Sequence, residues 1–471
     1  MSKVVTRIAP SPTGMMHIGT ARTALFNYLY ARKHGGKFKV RVEDTDKSRN
    51  DESVIDPIIT GMNWLGLDRD GPIVFQSLNE ARHVEVVHAL LGKGMAYLCY
   101  LTPDETAAMK TQGTAFRSPY RDPVNLTPDL VRRISSDDPH VIRFKGPTDG
   151  AVVVKDMVRG DVTFDASNFD DLVLLRSDGT PTYNLAVVVD DHDMKVSHVI
   201  RGDDHLNNAG RQQLIYQAMG WTVPVWAHIP LIHDAKGKKL SKRSGDAVSI
   251  EDFISLGYEK DAMFNYLCRL GWGGDGTEEI FSKDYAIDRF DLAAIVKSPA
   301  RLDMNKLNSI NVHYLRERNT NSIILGTALA VAKEHGLTGD EMDMDAIMRA
   351  APVLVDGATT INDMAKIVWF AANTDLPMPD DKALTAMVES MADLPKLITC
   401  LGESEDWSSP EILGDLVRKY SEDSGIPMKA IGPVVRAAIT GKTSAPDIGT
   451  LLYSVGKEKA LERLRAASRY A

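Results

Sequence analysis

Polar and apolar positions alternate at the start of the chain and then change period. Val4–Ile8 is a short β-rich run, followed by a loop marked by Pro and Gly, Ala9-Pro-Ser-Pro-Thr-Gly14. Apolar Ala21, Ala24, Leu25, Tyr28, Leu29 and Ala31 then fall at the i, i+3, i+4, i+7 spacing of a helix. Gly35-Gly36 predicts where that helix stops. Phe38, Val40 and Val42 alternate with Lys39 and Arg41 as a second strand, and Val54 to Leu65 reads as another helix. This β–loop–α–β order predicts a parallel, doubly wound α/β sheet with its ligand at the C-terminal ends of the strands.

The texture changes between about 97 and 185. Short β-rich runs (Val141–Phe144, Ala151–Lys155, Asp171–Leu175) are separated by turn signals, of which Ser177-Asp-Gly179 suits a hairpin. This stretch reads as an α+β insertion. The α/β pattern resumes with Leu185–Val189, Val196–Arg201, a helix after Asp204, and Val225–Ile232. From about 310 onward only helical periodicity remains, with an internal boundary in Asn373–Asp381.

Composition narrows the class. The 471 residues are 44% hydrophobic and 25% charged, which suits a globular protein of several domains rather than a disordered or fibrous chain. The formal net charge of −9 argues against coating nucleic acid by bulk charge. From Lys429 onward, however, eight Lys/Arg stand against three Asp/Glu, so the last segment is locally basic. Cys99, Cys268 and Cys400 are far apart and form no CxxC, which excludes a disulfide framework and points to a reducing compartment. No apolar stretch of about 18 residues offers a membrane span, and the N-terminus lacks an apolar signal core. The expected location is cytoplasmic.

Two motifs carry candidate chemistry. The loop Ala9–Gly14 leads into Met15-Met-His-Ile-Gly-Thr20 at the start of the first helix, where free N–H groups and the positive dipole end suit phosphate. His17 adds a donor there, and Gly19 allows a purine or ribose to approach the backbone. Far downstream, Lys236-Gly-Lys-Lys-Leu-Ser-Lys-Arg-Ser-Gly245 places lysines in a Gly-flanked loop. Such lysines can reach a polyphosphate and neutralise charge as pyrophosphate leaves.

Together, His17-Ile-Gly-Thr20 and Lys239-Leu-Ser-Lys-Arg243 resemble the two ATP motifs of class I aminoacyl-tRNA synthetases. The resemblance narrows to the glutamyl-tRNA synthetases of bacterial type. It is carried by Arg7-Ile-Ala-Pro-Ser-Pro-Thr-Gly14, His17–Asn27, Arg41-Val-Glu-Asp-Thr-Asp46 and Asn63-Trp-Leu-Gly-Leu67 in the first part of the chain. Pro181–Ala186, Val199-Ile-Arg-Gly202, Asn265–Trp272 and Arg436–Gly441 extend it along nearly the whole length. It implies a Rossmann-type parallel-sheet catalytic domain, with an α+β insertion, followed by an all-α anticodon-binding half. The implied boundaries are 1–96 and 185–235 for the catalytic domain, 97–184 for an acceptor-end-binding insertion, and 236–309 for a stem-contact region with the lysine loop. Residues 310–375 and 376–471 would be two helical anticodon-binding subdomains.

The resemblance also implies a site. Arg7 and Tyr183 would take the side-chain carboxylate of L-glutamate, Arg201 its α-carboxylate and Glu43 its ammonium, with Ala9 and Ser11 lining the same pocket. An arginine fork suits bidentate binding of carboxylate. An amide in place of the side-chain carboxylate would leave Arg7 poorly paired, at a cost of about 3–5 kcal/mol when buried. His17, Gly19, Thr20 and Lys242 would hold ATP, with His17 and Lys242 on the phosphates and Lys239 assisting. Glutamate would attack the α-phosphorus to give glutamyl adenylate and pyrophosphate, and the terminal ribose hydroxyl of tRNA would then attack the activated carbonyl. Mg²⁺ would accompany ATP, held mostly by phosphate oxygens and water.

Two departures from the family pattern stand out. Some relatives bind zinc in the insertion through a Cys-x-Cys and a later Tyr-x₃-Cys. Here Cys99 is followed by Tyr100-Leu101, and Tyr120–Val124 lacks the final cysteine, so no zinc is expected. Relatives restricted to tRNA(Glu) carry an arginine that rejects the third anticodon base of tRNA(Gln). Gly357-Ala-Thr-Thr-Ile361 aligns there, with Arg349 upstream. An enzyme charging tRNA(Glu), and one that also charges or prefers tRNA(Gln) for later amidation, are both open at this point. The tRNA would meet a local basic face including Arg436, Lys442, Arg463 and Arg465, and the enzyme would act as a monomer. A small nucleotidylyltransferase would not need the helical half. An inactive tRNA-binding paralogue would be expected to lose Arg7, Glu43 or Lys242. Glutaminyl-tRNA synthetases generally carry a β-barrel anticodon region.

Overall fold

The computed structural model describes residues 3–12, 14–44, 55–110, 115–124, 126–136, 138–238, 240, 248–274, 276, 278–389 and 394–468. It divides into two compact units, one of residues 1–253 with 263–303, the other of 254–262 with 304–471.

In the first unit, β1 (Val5–Ile8), β2 (Lys37–Val42) and β3 (Val74–Phe75) form a parallel ladder in that order. All four residues of β1 are buried, as in a strand covered on both faces. The crossover from β1 to β2 is the helix Ile18–Lys33, which buries Ile18, Ala21, Ala24, Leu25 and Leu29. The glycine pair ends it for two separate reasons. Gly35 takes φ +58°, and a Cβ on Gly36 would stand 2.2 Å from the Val4 carbonyl oxygen.

The antiparallel strands β4 (Ala96–Cys99), β5 (Val141–Phe144) and β8 (Val173–Leu175) form a separate sheet ordered β4-β5-β8. Between them in sequence, β6 (Ala151–Asp156) and β7 (Gly160–Asp165) pair as a hairpin. That hairpin extends a second parallel ladder of β9 (His198–Gly202) and β10 (Val225–Ile229), ordered β7-β6-β10-β9. The stretch 97–184 therefore supplies strands to two sheets. Ser197 ties the two parallel ladders together: its N–H donates to the Val5 carbonyl over 2.9 Å, and its Oγ accepts from the Val5 N–H over 2.8 Å.

The apolar run Leu185–Val189 is not a strand but the middle of the helix Tyr183–Asp193. Its residues are buried all the way round, and complete tertiary burial overrides the β preference of three consecutive valines. Ser177-Asp-Gly179 does form a tight turn, with Gly179 at φ +83° and Arg176 N–H on the Thr180 carbonyl at 2.9 Å. Its outgoing arm pairs through a single Leu175–Pro181 bridge, flanked by the Thr182 N–H on the Leu174 carbonyl at 2.9 Å, before the helix begins at Tyr183.

Among the described residues, the second unit contains helices and no strand. Several of its helices start on side-chain caps: Asn319 accepts from Ser322 N, Asp343 from Ala346 N, and Asp447 from Thr450 N. A single buried apolar cluster runs from Leu315 through Ala371, Leu397 and Val435 to Ala467, so both halves of this unit share one core. Arg463, expected on a tRNA-facing surface, is instead buried within it. Its Nη1 donates to the carbonyls of Phe370 (2.5 Å) and Ile439 (2.7 Å), and its Nη2 to that of Asn373 (3.1 Å). A long basic side chain on the last helix reads as surface in sequence. Here it satisfies the carbonyl-rich C-terminal ends of two helices. Lys442 and Arg465 are exposed. No described helix is long and apolar enough to cross a membrane.

Candidate active site

The two parallel ladders end at a cavity of about 650 Å³ in the first unit. Its lining includes Arg7, Ala9, Ser11, His17, Gly19, Thr20, Glu43, Tyr183 and Arg201. The nine residues named for the amino acid and the nucleotide from the first 201 positions thus meet at one place. Each stands where a strand ends or a helix begins: Arg7 and Arg201 close to the ends of β1 and β9, Glu43 just past β2, His17 and Tyr183 at helix starts.

His17 caps the helix Ile18–Lys33, its Nδ1 accepting from the Gly19 N–H at 3.0 Å. A neutral ring with Nδ1 as acceptor carries its proton on Nε2. An added Cβ on Gly19 would press to 3.3 Å from that Nδ1, so the glycine preserves the cap. The tip is stitched to a distant segment. Ile18 N–H donates to the Val248 carbonyl (2.8 Å), Ile250 N–H donates to the Met16 carbonyl (2.9 Å), and Met16 N–H meets the Glu251 carboxylate at 3.1 Å. Leu240 lines the cavity. Lys239 and Lys242 lie outside the described residues.

The amino-acid end of the cavity is a buried ion network. Asp191 accepts from Arg7 Nε (3.0 Å) and Nη2 (3.1 Å), and also from Arg41 Nη1. Arg41 is fully buried and donates from Nη2 to Glu43 Oε1 at 3.1 Å. Burial alone would raise the pKa of Asp191, but Arg41 and Arg7 hold it below its ordinary value, so it is ionised. Arg7 is therefore already paired, through two of its nitrogens, before any ligand arrives. Arg7 thus keeps Asp191 as a charged partner whatever side chain a ligand carries. The neighbouring Asp190 accepts from Gln76, Asn79 and His83.

Arg201 is different. It is buried and makes no ion pair with a carboxylate among the described residues. Its Nε donates to His228 Nε2 at 3.1 Å and its Nη2 to the His205 carbonyl at 3.3 Å. Its Nη1 is buried without a partner among the described residues. Burial pushes its pKa down to about 10, so it is still a cation at neutral pH. Tyr183 lies 3.4 Å from His205 Nδ1, and burial with Glu43 pushes its hydroxyl up to about 12, keeping it a donor. A lone buried cation with an unspent N–H is the electrostatic complement of an anion.

The network contains residues that sequence motifs did not single out for the site: Arg41, Asp190, Asp191, Asp156, His205 and His228. Two carboxylates at the end of an apolar run, Val189-Asp190-Asp191, were the signal for the pair at its centre. In the insertion, the Cys99 thiol lies 3.3 Å from Ser118 Oγ within an aromatic cluster with Tyr100 and Tyr120. Gly357 lies in the second unit, on a cavity of about 890 Å³ lined also by Lys366, Trp369, Phe370, Lys442 and Arg463.

Residues 3–309 match the family model of class I tRNA synthetases (E and Q), catalytic domain, and residues 325–468 match that of an anticodon binding domain. The chain is 47% identical to a glutamate–tRNA ligase of Caulobacter vibrioides over 98% of its own length and 97% of the relative's. It is also 47% identical to a glutamate–tRNA ligase of Phenylobacterium zucineum, over 98% and 97% of the two chains. Its fold superposes on the crystal structure of a glutamate tRNA ligase from Elizabethkingia meningosepticum in complex with its amino acid. The TM-score is 0.88 and the identity 29%, over 99% of both chains.

Proposed function

The chain belongs to the class I tRNA synthetases of the E and Q type and is an ATP-dependent enzyme that joins glutamate to tRNA; we propose that both steps run in the cavity between His17 and Arg201. The observation that carries this placement is Arg201, a buried cation without an ion-pair partner among the described residues, lining a cavity that Arg7, Glu43 and Tyr183 also line.

In this reading Arg201 takes the α-carboxylate of L-glutamate and Glu43 its ammonium. The side-chain carboxylate meets the Tyr183 hydroxyl and Arg7, whose bonds to Asp191 use Nε and Nη2 and leave Nη1. Discrimination against glutamine then comes from the summed field of Arg7, Arg41 and Arg201 against Asp191 and Glu43, not from Arg7 alone. ATP lies at the helix tip, with His17, Gly19 and Thr20 beside its phosphates. Lys242, assisted by Lys239, neutralises the leaving pyrophosphate. The α-carboxylate attacks the α-phosphorus, pyrophosphate departs, and the terminal ribose hydroxyl of tRNA attacks the adenylate carbonyl. No protein nucleophile takes part, so catalysis is positioning and charge stabilisation. Among the described residues no three His, Cys, Asp or Glu converge as a metal site, and Mg²⁺ is assigned to the phosphates of the nucleotide.

A second reading concerns the choice of tRNA. At the cavity bearing Gly357 the lining arginine is Arg463, whose Nη1 and Nη2 are spent on backbone carbonyls. Arg349 lies outside that lining and directs Nε and Nη2 to the carbonyls of Ser454 and Val455. With no guanidinium among the described residues of that cavity offered to a base, the enzyme accepts tRNA(Gln) as well as tRNA(Glu). The reading also places the enzyme in the cytoplasm as a monomer, which light scattering tests for the second point. The deciding experiment is charging of separated tRNA(Glu) and tRNA(Gln) with radiolabelled glutamate, alongside glutamate-dependent pyrophosphate exchange with and without tRNA. Charging with glutamine instead of glutamate would refute the main reading, and strict tRNA(Glu) charging would refute the second.

A further inference from the structure

Arg201 is held by the His228 side chain, itself held by Asp156, and no step of the reaction uses either. Strand register brings them together. Arg201 on β9 lies directly opposite His228 on β10, and Asp156, the last residue of β6, flanks β10 from the other side. A slip of one residue would turn His228 to the opposite face, so the pairing is built into the ladder. All three side chains are buried.

Valence fixes the protons along this row. The Asp156 carboxylate accepts the backbone N–H groups of Val158 (2.9 Å), Arg159 (2.8 Å) and His228 (3.0 Å), and it lies 2.6 Å from His228 Nδ1. Although burial works against it, His228 and these backbone bonds hold Asp156 below the ordinary carboxylate range. An ionised carboxylate only accepts, so His228 Nδ1 carries a proton. Arg201 Nε–H only donates, and it lies 3.1 Å from His228 Nε2, so Nε2 presents its lone pair. The ring is thus the neutral Nδ1–H tautomer. The charged and titratable groups around it are Asp156 from β6, Arg201 from β9 and His205 from the turn after β9. Trp226, on the same strand, stacks beside the ring at 6.2 Å and lies 5.3 Å from the Arg201 guanidinium carbon.

We propose that His228, locked by Asp156, is a positioning residue: by accepting Arg201 Nε–H it fixes the guanidinium of Arg201 for the α-carboxylate of the bound amino acid. This rests on the assignment of Arg201 to that carboxylate made above. It has a consequence in pH. A protonated ring would point an N–H at Arg201, removing the acceptor and adding a like charge. Burial and Arg201 lower the pKa of His228 against the pull of Asp156, so the ring is neutral at neutral pH. The hold on Arg201 is lost as pH falls, and the KM for glutamate rises on the acid side.

The test compares the wild-type chain with His228→Phe, which keeps a ring but no acceptor, and His228→Gln, whose amide oxygen can replace Nε2. Aminoacylation is measured at saturating ATP and tRNA across pH. His228→Phe should raise the KM for glutamate about tenfold or more, with kcat and the KM for ATP changed by less than about twofold. His228→Gln should recover to within about threefold of wild type and lose the acid limb in kcat/KM for glutamate. A wild-type glutamate KM in His228→Phe, or equal losses in the two variants, would overturn the proposal. If His228→Phe fails to fold, an acid limb that persists in His228→Gln overturns it equally. A wild-type chain without glutamate-dependent charging would overturn the functional reading and this proposal with it.

Discussion

The Arg7 guanidinium meets the Asp191 carboxylate edge to edge, with Nε on Oδ1 at 3.0 Å and Nη2 on Oδ2 at 3.1 Å. Arg41 shares the same carboxylate from β2. Removing the charge at Asp191 leaves two buried arginines to repel one another. Asp191→Asn should therefore destabilise the fold by about 3–5 kcal/mol. It should also raise the KM for glutamate, because Arg7 is released from its fork. Urea unfolding and glutamate kinetics would check both. The native pKa of Asp191 is depressed, so its contribution is present above the ordinary carboxylate value of 3.8 and is lost as pH falls below it.

Arg201 should be the most sensitive position for amino-acid use. Arg201→Met keeps much of the volume and removes the cation. We expect kcat/KM for glutamate to fall about a hundredfold or more, with the KM for ATP little changed. Equal losses for both substrates would show a general collapse of the cavity instead.

His198 makes a separate prediction about stability. Its ring lies between Ser197 Oγ at 2.9 Å and the Tyr30 hydroxyl at 3.3 Å. Burial, with His34 nearby, lowers its pKa from 6.5 to about 4. The native state thus prefers the neutral ring more than the unfolded chain does. Its contribution is complete above pH 6.5 and declines as pH falls toward about 4. The urea midpoint should drop over that interval, and His198→Gln should flatten part of the slope.

Gly357 offers a gain-of-specificity experiment. A Cβ there would meet Ile367 Cδ1 at 3.8 Å, an ordinary contact, so a longer side chain can be installed. Gly357→Arg should reduce charging of tRNA(Gln) by about tenfold while sparing tRNA(Glu), on the scale of one base-directed guanidinium contact. Parallel charging of the two purified tRNAs reads the ratio.

Arg463 is predicted to matter for the fold. Arg463→Met leaves the carbonyls of Phe370 and Ile439 without this donor, while that of Asn373 keeps Lys459 Nζ at 2.8 Å. At about 1–3 kcal/mol for an orphaned buried group, thermal unfolding of the variant should show a loss of several kcal/mol. Lys442→Ala, at an exposed position, should leave stability unchanged.

The legible parts of the fold were those in which one element explains itself locally. β1, the following helix and β2 have clean periodicity, and their termini carry Gly and a cap. The residues lining the cavity were legible because they stand in motifs at strand ends. Arg41 and Asp191 were not assigned to the site, since a buried ion pair between residues 150 positions apart leaves no period in the sequence. The helix Tyr183–Asp193 was obscured by its valines, because burial on every side is a property of the assembled fold. Arg463 misled because side-chain type records charge but not which carbonyls lie within reach.

The unbroken apolar cluster from Leu315 to Ala467 has a consequence for how the helical half can change over time. Cutting it near residue 375 would bare a greasy face on each fragment, so neither piece could be traded with another lineage alone. Recombination must hand down the whole bundle as one cassette, and drift within it is confined to paired, volume-matched replacements.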